Sequence, residues 1–107
     1  MDGDNRPLSQ IFAEKAYDWT QLEAAAQLLE DTKSLIMSQR QAALGDMPVN
    51  KAEQIIKASQ DWYDHVVTIV DARTAANVAK MELETIKMQH SEWQSQQANA
   101  RAELKLS

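Results

Sequence analysis

The sequence predicts an all-α protein, an antiparallel helical hairpin that completes its bundle by oligomerisation. Glycine and proline occur only twice each in 107 residues, whereas a β-sheet needs several turns that these residues usually mark. The long stretches between them are rich in Ala, Gln, Glu, Lys and Leu, which are strong helix formers. Apolar residues also recur every three or four positions, as they do on one face of a helix. We therefore expect a single helical domain over residues 1–107.

The first helix is predicted over residues 9–44. Ser9 can cap its N-terminus, and no glycine or proline interrupts the chain between Leu8 and Leu44. Gly45 can end the helix, because glycine adopts the left-handed conformation at little cost. The apolar face of this helix carries Phe12, Ala16, Trp19, Leu22, Ala26, Leu29, Ile36 and Ala43.

A loop over residues 45–49 leads to a second helix over residues 50–105. Pro48 precedes Asn50, and Glu53 follows three residues later, which is the spacing of a capping box. A heptad repeat then continues for about six heptads and is typical of a coiled-coil seam. Its positions are Ile55, Trp62, Ile69, Ala76, Leu83, His90 and Gln97, with Ala58, His65, Ala72, Ala79, Ile86, Trp93 and Ala100 three residues on.

A second apolar stripe runs beside this seam and makes two adjacent faces of the helix apolar. One partner helix cannot cover both faces, so the pattern favours a bundle or a hairpin that oligomerises. The stripe consists of Ile56, Tyr63, Val66 or Val67, Val70, Val78, Met81 and Met88.

The two helices differ in length. At 1.5 Å per residue the second helix spans about 80 Å and the first about 55 Å. Folded back, the first helix reaches only to about residue 86, so residues 87–107 lack a partner within the chain. This tail keeps Trp93 at a seam position. Two interpretations stay open, namely a docking helix anchored by Trp93 and a C-terminal end whose tryptophan caps the bundle.

Composition disfavours several classes of protein. The absence of cysteine excludes disulfides and thiolate metal sites. No apolar run is long enough to suggest a transmembrane helix. Residues 1–7 are polar and acidic and do not resemble a secretory signal, so a cytoplasmic location is expected. The net charge of −5 disfavours direct nucleic-acid binding, which usually needs a basic face.

Few residues point to catalysis, and we expect no enzymatic activity, no cofactor and no metal. Asp61, Asp64 and His65 form the best polar cluster, because residues four apart are neighbours on a helix. The Glu-x-x-His pairs of di-iron bundles are missing. A remote alternative is an all-α nucleotide hydrolase that uses Asp61 and Asp64 to bind magnesium or manganese.

One segment of the second helix resembles parts of small helical proteins encoded by bacteriophages and prophages. The resemblance covers about the last 40 residues, through Ala72-Arg73-Thr74-Ala75-Ala76-Asn77-Val78-Ala79-Lys80 and Ser91-Glu92-Trp93-Gln94. It implies an accessory role, such as modulating a host enzyme or assisting recombination or assembly.

The main functional hypothesis is a protein-protein interaction module that binds a second copy, another protein, or both through the second helix. The alternative is an acidic binder or inhibitor of a nucleic-acid-processing enzyme, since residues 1–50 carry four basic and eight acidic residues. The predicted contact residues are Trp62, Ile69, Ala76, Leu83, Ile86 and Trp93 for the first hypothesis, and Glu23, Glu30 and Asp31 for the second.

Overall fold

A computed structural model describes residues 5–106; residues 1–4 and 107, including most of the polar N-terminal segment, lie outside the described range. The chain forms three helices, α1 (Leu8–Ala43), α2 (Val49–Lys57) and α3 (Gln60–Leu106). α1 packs antiparallel against α3, so the predicted all-α hairpin is confirmed. The molecule measures 84 × 26 × 19 Å. Within the described range, no helix is both long and apolar enough to cross a membrane.

The start of α1 differs from the prediction, whereas its end agrees. The helix begins directly after Pro7, whose carbonyl accepts hydrogen bonds from the backbone amides of Gln10 and Ile11. Ser9 lies inside the first turn and does not cap the helix. At the other end Gly45 adopts a φ of 78°, and its amide donates to the carbonyl of Ala42. Only a residue without a Cβ takes this conformation without strain.

A proline also precedes α2. The helix begins at Val49, and the Pro48 carbonyl accepts a hydrogen bond from the amide of Ala52. The predicted cap Asn50 lies in the first turn, and no side chain caps the helix. Proline fixes φ near the value found here, −54°, and so sets the direction in which the chain enters the helix.

The predicted second helix is interrupted at Ala58 and Ser59, which separate α2 from α3. The Ser59 hydroxyl donates to the carbonyl of Ile56 over 2.6 Å and accepts from the amide of Trp62 over 3.2 Å. A serine oxygen that accepts from the third amide of a helix is an N-cap. The single helix predicted over residues 50–105 is therefore corrected to two helices, with Ser59 starting the longer one.

This interruption shifts the buried face by one residue. Ile56 in α2 is only 5% exposed, whereas its neighbour Ile55, the predicted seam residue, is 43% exposed. The seam prediction is thus wrong for Ile55, because a continuous helix was assumed through Ser59. From Trp62 to Ile86 the predicted heptad positions are buried or half-buried, whereas those from His90 onward are exposed.

The core is a thin layer along the hairpin. Ala26 of α1 and Ala76 of α3 have no exposed surface, so α1 and α3 must approach closely at this level. Toward the loop end of the hairpin, the ammonium group of Lys33 in α1 lies 5.9 Å from the ring centre of Trp62. This cation-π contact stabilises a lysine beside the apolar core. The buried residues are Ala26, Ala52, Ile56, Trp62, Ile69, Ala76 and Leu83.

Candidate protein-interaction surfaces

Four of the predicted contact residues lie inside the hairpin. Trp62, Ile69, Ala76 and Leu83 are spaced seven residues apart on α3 and are all buried within this chain. Their apolar surface is already covered, because α1 packs against the same face. They hold the hairpin together and are not available to a second protein.

The other two apolar contact residues lie where α1 begins. Ile86 is half-buried and lines an apolar depression together with Leu8, Phe12 and His90. Trp93 is 56% exposed. It borders the same region beside Leu8, and its ring stacks on that of His90 with ring centres 6.1 Å apart. Trp93 is therefore the first large apolar seam residue after Leu83 that is mostly exposed.

Two of the three predicted acidic contact residues are paired with one arginine. Arg73 of α3 donates to Glu30 through Nε and Nη2, both over 2.8 Å, and to Glu23 through Nη1 over 2.7 Å. Asp31 stays exposed and accepts a hydrogen bond from Gln27 over 2.9 Å. The structure brings Glu23 and Glu30 together, but against a residue of this chain.

The ion pairs shift the protonation equilibria of the arginine and one of the acids. Hydrogen bonds from Arg73, supported by its positive charge, lower the pKa of Glu30, although partial desolvation opposes the shift. Hydrogen bonds to Glu30 and Glu23 raise the pKa of Arg73. Both residues therefore stay charged. The cluster of Arg73, Glu23 and Glu30 links α1 to α3 along one edge of the hairpin.

The opposite edge of the hairpin carries a second ion pair between the helices. Lys15 of α1 and Glu82 of α3 form its ion pair, with 3.1 Å between nitrogen and oxygen. Leu22 and Val78 lie next to this pair and remain partly exposed.

A row of exposed apolar residues lies along the outer side of α3, with Val78 and Met81 close to Lys15 of α1. We call this set the outward row. Its members recur every three, four, seven or eight residues and are exposed after the hairpin has formed, so α1 leaves this face of α3 without a partner. The outward row consists of Tyr63, Val67, Val70, Val78, Met81 and Met88.

Charged residues flank the outward row on both sides. Helical spacing places Asp64 and Asp71 along one edge and Lys80 and Lys87 along the other, and all four are exposed. The acidic edge lies toward the start of α3 and the basic edge toward its middle. A partner helix would meet opposite charges on its two sides.

The residues considered for metal chemistry do not converge. Over the described residues 5–106, no group of three or more His, Asp or Glu side chains lies close enough to hold a metal ion. Asp64 instead accepts a hydrogen bond from Gln60 over 2.8 Å. The Nε2 atom of His65 is buried without a hydrogen-bond partner, and its ring packs against Trp62 with centres 5.7 Å apart.

Comparison with known proteins yields no matching family model, no significantly similar curated protein and no significantly similar solved structure. The function of the chain is therefore inferred from its own surfaces.

Four of the six apolar residues that the sequence assigned to the interaction site are buried within this chain. The heptad seam was the stronger pattern, but the seam is what α1 covers. The second stripe predicted most of the exposed apolar face, since a helix with two apolar faces and one partner leaves one face exposed. The pairing of Arg73 with Glu23 and Glu30 was also missed, although these two acids are seven residues apart and share a helix face.

Proposed function

We propose that the chain is a non-enzymatic helical interaction module that binds an amphipathic helix of another protein along the outward row. One observation carries the proposal, namely that this row of large apolar residues remains exposed after α1 and α3 have packed. Monomeric proteins rarely leave a large continuous apolar surface uncovered, and such surfaces usually bind a partner. A third helix on this face would complete a bundle.

The shape of the row favours a helix as its ligand. From Tyr63 to Met88 the row spans about 38 Å at 1.5 Å per residue. Apolar residues along one side of a helix pack well against the apolar face of a second helix. The two methionines suit such a surface, because their flexible side chains adapt to irregular partners.

The charges beside the row define the chemistry of the partner helix. Asp64 and Asp71 favour a basic edge on that helix, and Lys80 and Lys87 favour an acidic one. The partner is thus a helix with one apolar face, a basic edge and an acidic edge. The resemblance to phage-encoded accessory proteins adds that this partner is a host or phage protein.

Site-specific photo-crosslinking tests the proposal. A benzophenone amino acid replaces Met81 in the full-length chain, which is then irradiated in an extract of the cells that make it. The matched control carries the same group at Ser34, an exposed position of α1. We expect a discrete adduct from position 81 and none from position 34. Mass spectrometry of the linked peptide should give an amphipathic segment with the charge pattern described above.

Charge substitutions in the row provide the second arm of this experiment. Val70→Lys with Lys87→Glu places a charge in the row and reverses one charge at its edge, and it should abolish the adduct at position 81. Ser34→Lys with Ser38→Lys adds charges at exposed positions of α1 and should leave the adduct unchanged. Adducts that persist with the row variant, or that link a segment lacking an apolar face, overturn the proposal.

A further inference from the structure

We propose that the tail of α3, residues 91–106, is a homotypic interface that pairs antiparallel with the same segment of a second copy. This tail is distinct from the outward row, and the inference goes beyond the proposed function. It starts from the observation that every residue of the tail is helical and exposed. In most proteins a helix is stabilised mainly by packing of its amphipathic face, and the described residues 5–106 do not bury this face of the tail.

The covered part of the seam ends at a defined point. Leu8, the first residue of α1, lies beside Gln89, His90 and Trp93 of α3. Beyond this point α3 continues to Leu106, about 20 Å past Trp93 at 1.5 Å per residue. The heptad pattern of the seam continues through Trp93, Ala100 and Leu104, with one polar position at Gln97. The tail thus presents two uncovered heptads of the same face that α1 covers elsewhere.

The position of α1 excludes a parallel arrangement of two tails. A parallel second helix would follow the seam toward lower residue numbers and would collide with α1 from His90 onward. An antiparallel second helix ends at this point instead. Its last turn lies next to Leu8, and by symmetry its own α1 begins next to the last turn of the first copy. Each tail therefore fills the length of seam that the other copy leaves open.

The spacing of the tail fits this antiparallel arrangement around a two-fold axis. In an antiparallel coiled coil the two kinds of seam position face each other across the helices. Trp93 then faces Leu104 of the second copy, and Gln97 faces Ala100. By symmetry each contact occurs twice, as in every isologous interface. The large tryptophan packs against leucine, and glutamine meets a small alanine.

The residues beside the seam are compatible with this register. Gln94 lies beside Arg101 of the second copy, and Gln96 lies beside Glu103. No two like charges face each other, and each glutamine can hydrogen-bond to the charged group opposite. The two copies join end to end, which leaves the outward row of each hairpin uncovered.

Molar mass in solution is the first test, measured by light scattering on the full-length chain. We expect twice the chain mass of 12.1 kDa. Trp93→Glu with Leu104→Glu should halve the measured mass. The matched control, Ser95→Glu with Ala102→Glu, adds the same charge on the opposite face of the tail and should remain a dimer. A wild-type chain that stays at the mass of one copy at high concentration overturns the proposal.

A charge pair tests the register independently. Trp93→Glu with Leu104→Lys places opposite charges against each other in the antiparallel register, so it should dimerise more strongly than the variant with two glutamates. Far-ultraviolet circular dichroism at matched concentration checks that both variants keep their hairpin. If the Glu/Glu and Glu/Lys variants had equal mass at every concentration, Trp93 would not face Leu104 of the second copy, and the proposed register would be wrong.

Cysteine crosslinking distinguishes the geometry directly, because the chain contains no native cysteine. An equimolar mixture of Gln94→Cys and Arg101→Cys chains should form a mixed disulfide dimer under oxidation, whereas each variant alone should crosslink weakly. Crosslinking that is equal in all three samples overturns the antiparallel register. Failure of this interface would leave photo-adducts at Met81 unaffected, and loss of those adducts would leave the dimer mass unchanged.

Discussion

Arg73 of α3 and Glu30 of α1 form a two-pronged ion pair, in which Nε and Nη2 donate to the two carboxylate oxygens over 2.8 Å each. The third prong, Nη1, reaches Glu23 one heptad earlier. A planar guanidinium can satisfy both acids at once only when α1 and α3 have this relative position. The cluster therefore specifies the register of the hairpin at its centre.

Replacing Arg73 should weaken the hairpin even when positive charge is kept. Arg73→Lys retains one charge but cannot make three directed hydrogen bonds, so we expect a lower midpoint of thermal unfolding. Arg73→Gln should lower it further, since two acids then lose their counter-charge. Because the groups are partly exposed, added salt should narrow the gap between the wild type and Arg73→Gln. Identical melting curves for all three proteins would show that the cluster does not contribute to stability.

The pH dependence of stability should report on Glu30. Its pKa is lowered in the folded chain by the hydrogen bonds from Arg73, so its ionised form favours folding. That contribution is complete above the unfolded-state pKa and disappears as the pH falls through the folded-state value. Glu30→Gln should therefore be less stable than wild type at neutral pH and should approach it in acid. Urea unfolding at a series of pH values gives the comparison, and a constant difference would contradict the assignment.

The close approach of the helices depends on two alanines. Ala26 and Ala76 have no exposed surface, so a larger side chain at either position must push the helices apart. Ala76→Leu should destabilise the fold by about 1–3 kcal/mol, the usual cost of overpacking. Ala75→Leu, at the neighbouring exposed position of α3, is the control and should change stability little. Chemical unfolding measures both changes in the free energy of unfolding, and the two variants should have the same m value as the wild type.

The parts of this fold that depend on local periodicity could be predicted from the sequence, and the relation between the helices could not. Seven-residue spacing marked Trp62, Ile69, Ala76 and Leu83 as one buried face. Which surface covers this face could be known only from the position of α1 relative to α3 in the structure. The interruption at Ser59 was missed because no glycine or proline marks it. Its only sequence signals are a serine with Asp61 shortly after it and the one-residue phase shift between Ile56 and the following heptads.

Leu83 was expected to contact a second molecule, and its burial gives a different prediction. The side chain is 6% exposed in a single chain, so Leu83→Ala removes core contacts and leaves a cavity. We expect a loss of about 2–5 kcal/mol of stability. Val78→Ala, at a partly exposed position of the same helix, should cost much less. If Leu83→Ala were as stable as Val78→Ala, Leu83 would not belong to the core between α1 and α3.

The cap at Ser59 gives a prediction about the start of α3. Its hydroxyl accepts from the Trp62 amide, and alanine leaves that amide without a side-chain acceptor. Ser59→Ala should therefore destabilise the protein by about 0.5–2 kcal/mol, the range measured for loss of an N-cap. Asp can accept the same hydrogen bond, and its charge suits a helix N-terminus, so Ser59→Asp should retain most of the stability.

Serines elsewhere provide the control for this effect. Ser38→Ala changes an exposed residue in the interior of α1, where alanine is the better helix former, and it should be neutral or slightly stabilising. Hydrogen exchange adds a local readout, because loss of the cap should increase exchange most at the Trp62 amide. Equal protection of that amide in the wild type and in Ser59→Ala would mean that α3 starts without this cap and that the helix break rests on packing of Ile56 and Trp62 alone.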